Sequence, residues 1–360
     1  MGSHPLGTTT IFLESLTHLE KLEFLMRTIS PIFIVGSPRS GTSILSWCLG
    51  QHANIFVQEE SSWMGLFALH IEMAYQTGTA RGERSQLSAL GVQREDFFSR
   101  FGDSINSLIL EHRTRLESAI DARLNQNPPA DGPSAEDPSV AAFKITRSTA
   151  DPKARWVDGT PEYSFYTNPL RKLFPEARFV HMVRDVTSVV RSMMNFERTG
   201  GPPIVATEQQ AYDYWLRTVH ACSQAERAYG SDVVLRIRHS DLIDQPETTM
   251  KRVLLFFGED FEPGCLEPLR KRINSSQVPS DFDPTDPKTD PAIIRDAQQL
   301  SLQMMEDPLP LAPDKSVASE IEDAFRERVK HISTLQASHR KRLERIKELQ
   351  KELDEVKRRK

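Results

Sequence analysis

The residues from Gly36 to Ser43, GSPRSGTS, bring together most of the groups in this 360-residue chain that suit an anion. Two glycines allow a tight turn and let backbone N–H groups approach a ligand closely. Arg39 places a guanidinium inside the turn, and Ser40, Thr42 and Ser43 add hydroxyls. The apolar run Pro31 to Val35 before the turn reads as a buried strand, and the periodic run Ile44 to Leu49 after it reads as a helix. Strand, glycine turn and helix start together make a phosphate cradle. The spacing G-x-x-x-x-G is that of a P-loop, yet Thr42 stands where nucleotide hydrolysis needs a lysine on the β/γ-phosphates. A cation inside the turn instead suits a single phosphate bearing one transferable group, because planar guanidinium donors can grip oxygens on both.

Two further clusters carry chemistry. After the apolar run Arg178 to Val183 comes Arg184, and then VTSVVRSMM, whose periodicity starts a helix with Ser188 and Ser192 on one face. In a parallel sheet ligands collect at the carboxyl ends of the strands, so Arg184 and Ser192 can pinch a second phosphate. Glu59 and Glu60 follow the short strand Ile55 to Val57, where a carboxylate can take the proton of a bound hydroxyl. His52, in a Q-H-A-N turn, and His70, in the apolar stretch WMGLFALHIEM, are the weaker bases.

The loop P-R-S-G-T resembles the 5′-phosphosulfate loop of the sulfotransferases that use 3′-phosphoadenosine 5′-phosphosulfate (PAPS), in their Golgi-type and bacterial branch. The block FPEARFVHMVRDVTSVVRSM is similar to the segment of that family that holds the ribose 3′-phosphate. The resemblance spans roughly residues 31 to 275. It implies that Arg39, Ser40, Gly41, Thr42 and Ser43 bind the 5′-phosphate, that Arg184 and Ser192 bind the 3′-phosphate, and that Arg39 also stabilises the transferring group. It singles out the second glutamate of the pair, Glu60, as the base, with Glu59 as the alternative. PAPS would leave as the bisphosphate PAP, and no metal is required. One departure stands out: the lysine that relatives carry in a K-T-P or K-D-P segment is replaced within WVDGTPEY by Asp158 and Gly159. Lys144, Arg147 or Arg39 alone would then have to serve the leaving oxygen. Tyr163 and Trp63 are offered as acceptor-pocket residues, and His239 stands where the family has a tyrosine.

These residues have to be held by a framework. Strands at Ile55 to Val57, Arg155 to Val157, Arg178 to Val183 and Val233 to Ile237 join the first, each followed by helical or loop sequence. The fold expected is α/β, a P-loop-like three-layer fold with a central parallel sheet of about five strands, plus a C-terminal charged helix. A helix over Ile11 to Arg27 precedes it, Ser85 to Leu124 reads as helical, and Gln126 to Ser139 reads as a Pro/Gly-rich loop. Residues 1–310 are assigned to the α/β domain and 315–360 to the helix. That helix keeps a 3, 4, 3 apolar rhythm through Ile321, Phe325, Ile332, Leu335, Ile346, Leu349, Leu353 and Val356, interrupted at Arg328, His339 and Arg342. It suits either a coiled coil with a second copy or partner protein, or packing on its own domain.

Composition bounds the rest. A net charge of −5 and pI near 6.1 give no basic field for nucleic acid. No apolar run approaches the ~20 residues that cross a bilayer. Cys48, Cys222 and Cys265 show no disulfide or zinc spacing, which points to the cytoplasm. The expected activity is sulfuryl transfer from PAPS to a hydroxyl of a saccharide or other small molecule. A P-loop kinase using Asp185 on a metal, or a catalytically weak scaffold acting through its C-terminal helix, are the competing readings.

Overall fold

β1, Ile32–Gly36, is buried along its whole length, as a strand covered on both faces by helices must be. In the computed structural model, which describes residues 30–126, 146–148, 150–196, 203–270 and 286–358, β1 is the centre of a five-stranded sheet. β2 is Ile55–Val57, β3 Arg155–Asp158, β4 Arg178–Val183 and β5 Val234–Arg238. The order is β2-β3-β1-β4-β5 and every pairing is parallel. All five strands fall within a residue of the expected runs. The helix expected over residues 11–27, the loop after Gln126 and Lys144 lie outside the described residues.

Alternation along β1 divides the interior. Phe33 and Val35 face one layer, with Trp156, Tyr163 and Phe179; Ile32 and Ile34 face the other, with Val180 and Met182. The second layer holds α1 (Thr42–Gly50), α8 (His239–Asp244) and α9 (Pro246–Phe257), whose Leu45, Leu49, Leu242 and Val253 are buried there. The first layer holds α2 (Trp63–Thr79), α4 (Arg94–Gln126) and α5 (Thr167–Leu173). Beyond it, α6 (Val186–Met194), α7 (Glu208–Tyr229) and α10 (Pro291–Glu306) pack together through Val190, Trp215 and Leu300. A short α3, Gln86–Ala89, is separate from α4, so the helical run expected from Ser85 is broken. The break falls at Gly91, whose φ of +67° ends a helix as a left-handed glycine does.

A buried charge group ties α7 to the sheet. His181 of β4 lies 2.7 Å from Glu226 of α7 through Nδ1, and Arg236 of β5 donates through Nε to the same carboxylate at 2.8 Å. Burial alone would lower the His181 pKa, but Cys222 and Glu226 overcome it and raise it. Burial likewise opposes ionisation of Glu226, and Arg236 and His181 hold its pKa low. A buried ion group of this kind fixes geometry more than it adds stability.

α11, Lys315–Arg358, divides along its length. Val317, Phe325 and Val329 are buried, the last two in the first layer, and Glu322 receives Lys172 of α5 at 3.1 Å. From Leu335 onward the stripe is open, with Leu343, Ile346, Leu349 and Leu353 exposed. The apolar rhythm therefore covers the chain's own core first and solvent afterwards. Phe325→Ala should lower unfolding free energy by about 3–5 kcal/mol, as for truncation of a buried aromatic. Ile346→Ala should change it by less than about 0.5 kcal/mol at concentrations where the chain is monomeric. Urea unfolding measures both, and equal effects would contradict the division of the helix.

Candidate functional site

Strand order brings the loops together. β1 lies between β3 and β4, so the turns after these three strands open on the same sheet edge, where the connections reverse direction. Gly36 pairs with Met182, which leaves Arg184 two residues further along the neighbouring strand line. The approach is close: a Cβ on Gly36 would lie 2.5 Å from the Met182 carbonyl oxygen, so only glycine fits. Gly41, with φ of +104°, precedes α1 and packs so tightly on the His239 ring that a Cβ would lie 2.7 Å from it. His239 thus backs the turn; burial, then Arg184, push its pKa down to about 4, so the ring is neutral at pH 7.

The arginines and the serine meet. Arg184 donates through Nη1 to the Arg39 carbonyl at 3.0 Å, and Arg39 donates through Nε to Ser192 Oγ at 3.1 Å. Ser192 reaches it from α6, one turn beyond Ser188, whose N–H instead caps the helix on Asp185 at 2.9 Å. Arg39 takes a left-handed φ of +69°, uncommon for a side-chain-bearing residue, and its guanidinium lies 4.0 Å over the Phe196 ring. Burial and the Arg184 charge lower the Arg39 pKa while Glu60 raises it; burial also lowers that of Arg184, against Asp185. Ser40 is buried in the turn, and its Oγ meets no partner among the described residues. Glycine backbone, an orphaned hydroxyl and two crowded guanidinium groups suit an anionic group, and Arg39, Ser40, Thr42, Ser43, Arg184 and Ser192 all belong to this turn or the residues against it.

The two glutamates part company. Glu59 pairs with Arg147, whose Nε also donates to the Val57 carbonyl. Glu60 accepts from Ser43 Oγ of α1 at 2.5 Å and lines a cavity of about 580 Å³ together with Arg39, Thr42 and Ser43. A relay from β3 holds its segment: Asp158 Oδ1 accepts from Thr160 N at 2.9 Å and from Thr160 Oγ1 at 2.6 Å, and Ser61 N donates to Thr160 Oγ1 at 2.7 Å. Burial raises Asp158 to about 7, the Thr160 bonds pull it back, and Glu60 and Glu162 push it further up.

Several expected residues fall elsewhere. Tyr163 is fully buried in the first layer, and Trp63 packs on Phe67 at the surface; neither lines the cavity. Arg147 is engaged by Glu59 and does not line it either. His52 bonds the Asp260 carbonyl at 3.0 Å in its turn, and His70 that of Leu66 at 2.9 Å. Asp185 is the N-cap of α6. The far wall of the cavity is Phe196, Glu162, Gln210, Tyr214 and Arg217, which sequence reading did not single out. Their only signal is helical: Gln210, Tyr214 and Arg217 fall on one face of α7.

Position 159, where the resemblance expects a lysine, abuts the loop helix: a Cβ on Gly159 would lie 2.1 Å from Ser46 Oγ of α1, so a side chain there requires that hydroxyl to turn away.

A family model described as the Sulfotransferase family matches residues 31–263, well over half of the chain, and the chain belongs to that family. It is 20% identical over 240 residues to the protein-tyrosine sulfotransferase of Drosophila melanogaster, covering 67% of this chain and 40% of that protein. It is 24% identical over 231 residues to protein-tyrosine sulfotransferase 1 of Danio rerio, covering 63% and 52%. The chain thus spans about half the length of the curated relatives it matches. Among solved structures, the sulfotransferase domain of the Synechococcus PCC 7002 olefin synthase aligns at 21% identity with a TM-score of 0.38, covering 82% of this chain and 95% of that one.

Gly159→Ala should destabilise the fold by about 1–3 kcal/mol, the usual cost of overpacking. Adding Ser46→Ala should restore most of the loss, because the next neighbours of that Cβ stand at 3.4 Å. Chemical denaturation of the two variants decides this, and a neutral Gly159→Ala would refute the steric account.

Proposed function

We propose that this chain is a sulfotransferase that moves a sulfuryl group from PAPS to an acceptor hydroxyl. The observation that carries the reading is the joining of Arg39, Arg184 and Ser192 into one hydrogen-bonded group beside the glycine turn. Two anion grips on adjacent strands suit a nucleoside bisphosphate, and a guanidinium within the turn suits the phosphosulfate end. The donor supplies the sulfuryl group. Transfer forms a bond from acceptor oxygen to sulfur, breaks the bond from sulfur to the phosphate oxygen, and delivers the acceptor's proton to a base.

Glu60 takes that proton in this reading, which is supported by its lining the cavity where Glu59 does not. Ser43 and the Asp158–Thr160–Ser61 relay hold it in position. Arg39 faces the charge that develops on the leaving oxygen, which makes preorganised electrostatics the main catalytic term. With glycine at position 159, Arg39 carries this task without a lysine there. The engagement of Asp185 in capping counts against its use as a metal carboxylate in a kinase. Three buried, unpaired cysteines suit a reducing compartment such as the cytoplasm. The open stripe from Leu335 to Leu353 suits pairing with a second copy of the helix.

PAP should raise the melting temperature and magnesium-ATP should not, as read by differential scanning fluorimetry. Arg184→Ala and Ser192→Ala should each weaken PAP binding by tenfold or more, about 1.4 kcal/mol. Glu60→Gln should keep PAP affinity yet lose on the order of 10²-fold in transfer of labelled sulfate to a metabolite extract. Stabilisation by magnesium-ATP but not PAP would overturn the assignment, and PAP binding without transfer or donor hydrolysis would favour a scaffold. Deleting residues 336–360 should leave the melting transition intact and take the mass in light scattering from that of two full chains to that of one shortened chain. A full-length mass of one chain would retire the pairing.

A further inference from the structure

The exposed half of α11 carries both an apolar stripe and a charge pattern, and the two together specify what covers it. Ile332, His339, Ile346 and Leu353 recur at seven-residue intervals, and Leu335, Arg342 and Leu349 fill the alternate places. This is the layout of a two-helix seam. A parallel, in-register pair would set Arg342 against Arg342 of the second copy inside that seam, where like charges disfavour contact. In an antiparallel pair each residue of the first set faces one of the second, so the two arginines part.

Charge then selects one register. Arg345 and Glu352 flank the seam, each just before a residue of the first set, and within one chain Arg345 lies 3.0 Å from Glu348 and 3.6 Å from Glu352. With the crossing centred between Ile346 and Leu349, Arg345 of each copy meets Glu352 of the other, and Arg342 lays its aliphatic stem on Leu353. Moving the centre one layer toward the domain brings Arg345 against itself, and one layer away brings Glu352 against itself. From this we infer that α11 pairs with α11 of a second copy of this chain as an antiparallel two-stranded coil centred between Ile346 and Leu349. Residues 336–360 carry ten Lys and Arg, which would also attract an anionic lipid surface, but Glu344, Glu348 and Glu355 share the face opposite the stripe and five acidic residues are interleaved. The antiparallel coil puts Ala337 of one copy level with Arg358 of the other and the two α/β domains at opposite ends. The two sites are thereby kept separate. This inference rests on the reading that the stripe pairs with a second copy, and it stands independently of the donor.

Spin-label distances and light scattering on the full chain test it. A nitroxide on Ala337→Cys, at an exposed position, should report ~32 Å between copies by double electron–electron resonance, the helical rise between positions 337 and 358. A parallel pair, with its axes about 8–10 Å apart, would give a distance under roughly 20 Å. The unsubstituted chain, whose Cys48, Cys222 and Cys265 are buried, is the labelling control. Arg345→Glu and Glu352→Arg should each weaken self-association at least fivefold, and an equal mixture of the two variants should restore it. Within either variant positions 345 and 352 carry like charges, so recovery in the mixture comes only from contacts between copies. A short distance, or a mixture no stronger than its components, would overturn the antiparallel register even where the mass is that of two chains. A full-length mass of one chain would overturn the pairing itself, and a single chain that sediments with phosphatidylserine vesicles would put a membrane in place of the second copy.

Discussion

Two guanidinium groups, Arg39 and Arg184, are held side by side in a half-buried place, and the rest of the site follows from what that requires. Each has its pKa pulled down by burial, and the charge of Arg184 adds to the effect on Arg39. Crowding like charges costs free energy in the protein alone and is relieved by an anion between them. The cost is borne by the frame: Arg184 is pinned to the Arg39 carbonyl, and Arg39, in a left-handed conformation, is pinned to Ser192 and Phe196. Strain gathered at one turn and supported on several sides is characteristic of a preorganised binding loop.

The sheet makes that crowding possible. Placing β1 between β3 and β4 sets the glycine turn beside Arg184 on one flank and beside the Asp158–Thr160 turn on the other. The first flank supplies cations. The second supplies Thr160, which ties down the segment that carries Glu60 from the more distant β2. α7 closes the cavity opposite the loops and is itself locked to β4 and β5 through Glu226. The Glu60 carboxylate, the paired guanidinium groups and the far wall of the cavity thus derive from elements far apart in sequence.

Much of this was legible in the chain because its signals are local. The strands are short apolar runs, and GSPRSGTS and the Arg184–Ser192 interval lie within contiguous segments, so periodicity and spacing exposed them. The choice of Glu60 over Glu59 rested on resemblance, and its structural correlate, the capture of Glu59 by Arg147, depends on a contact across 88 residues. Tyr214 and Arg217 carried no motif, since a polar residue on an amphipathic helix looks the same whether it faces water or a substrate cleft. Tyr163 misled for the converse reason: its position beside the T-P turn suggested the pocket, while the sheet rolled it into the core.

The apolar rhythm of the last helix shows how one sequence pattern can serve two surroundings. Phe325 and Ile332 keep the same seven-residue interval as Ile346 and Leu353, yet the first pair covers the layer above the sheet and the second stands in solvent. Periodicity fixes which face of a helix is apolar and leaves open what that face meets. The residues that break the rhythm say more. Arg328 interrupts the seam where the helix still lies on its domain, and there its guanidinium turns over Tyr166 and onto the Phe165 carbonyl. An arginine unsuited to a coiled-coil seam is suited to an aromatic face and a carbonyl, so the interruption marks the stretch of helix that lies on its own domain.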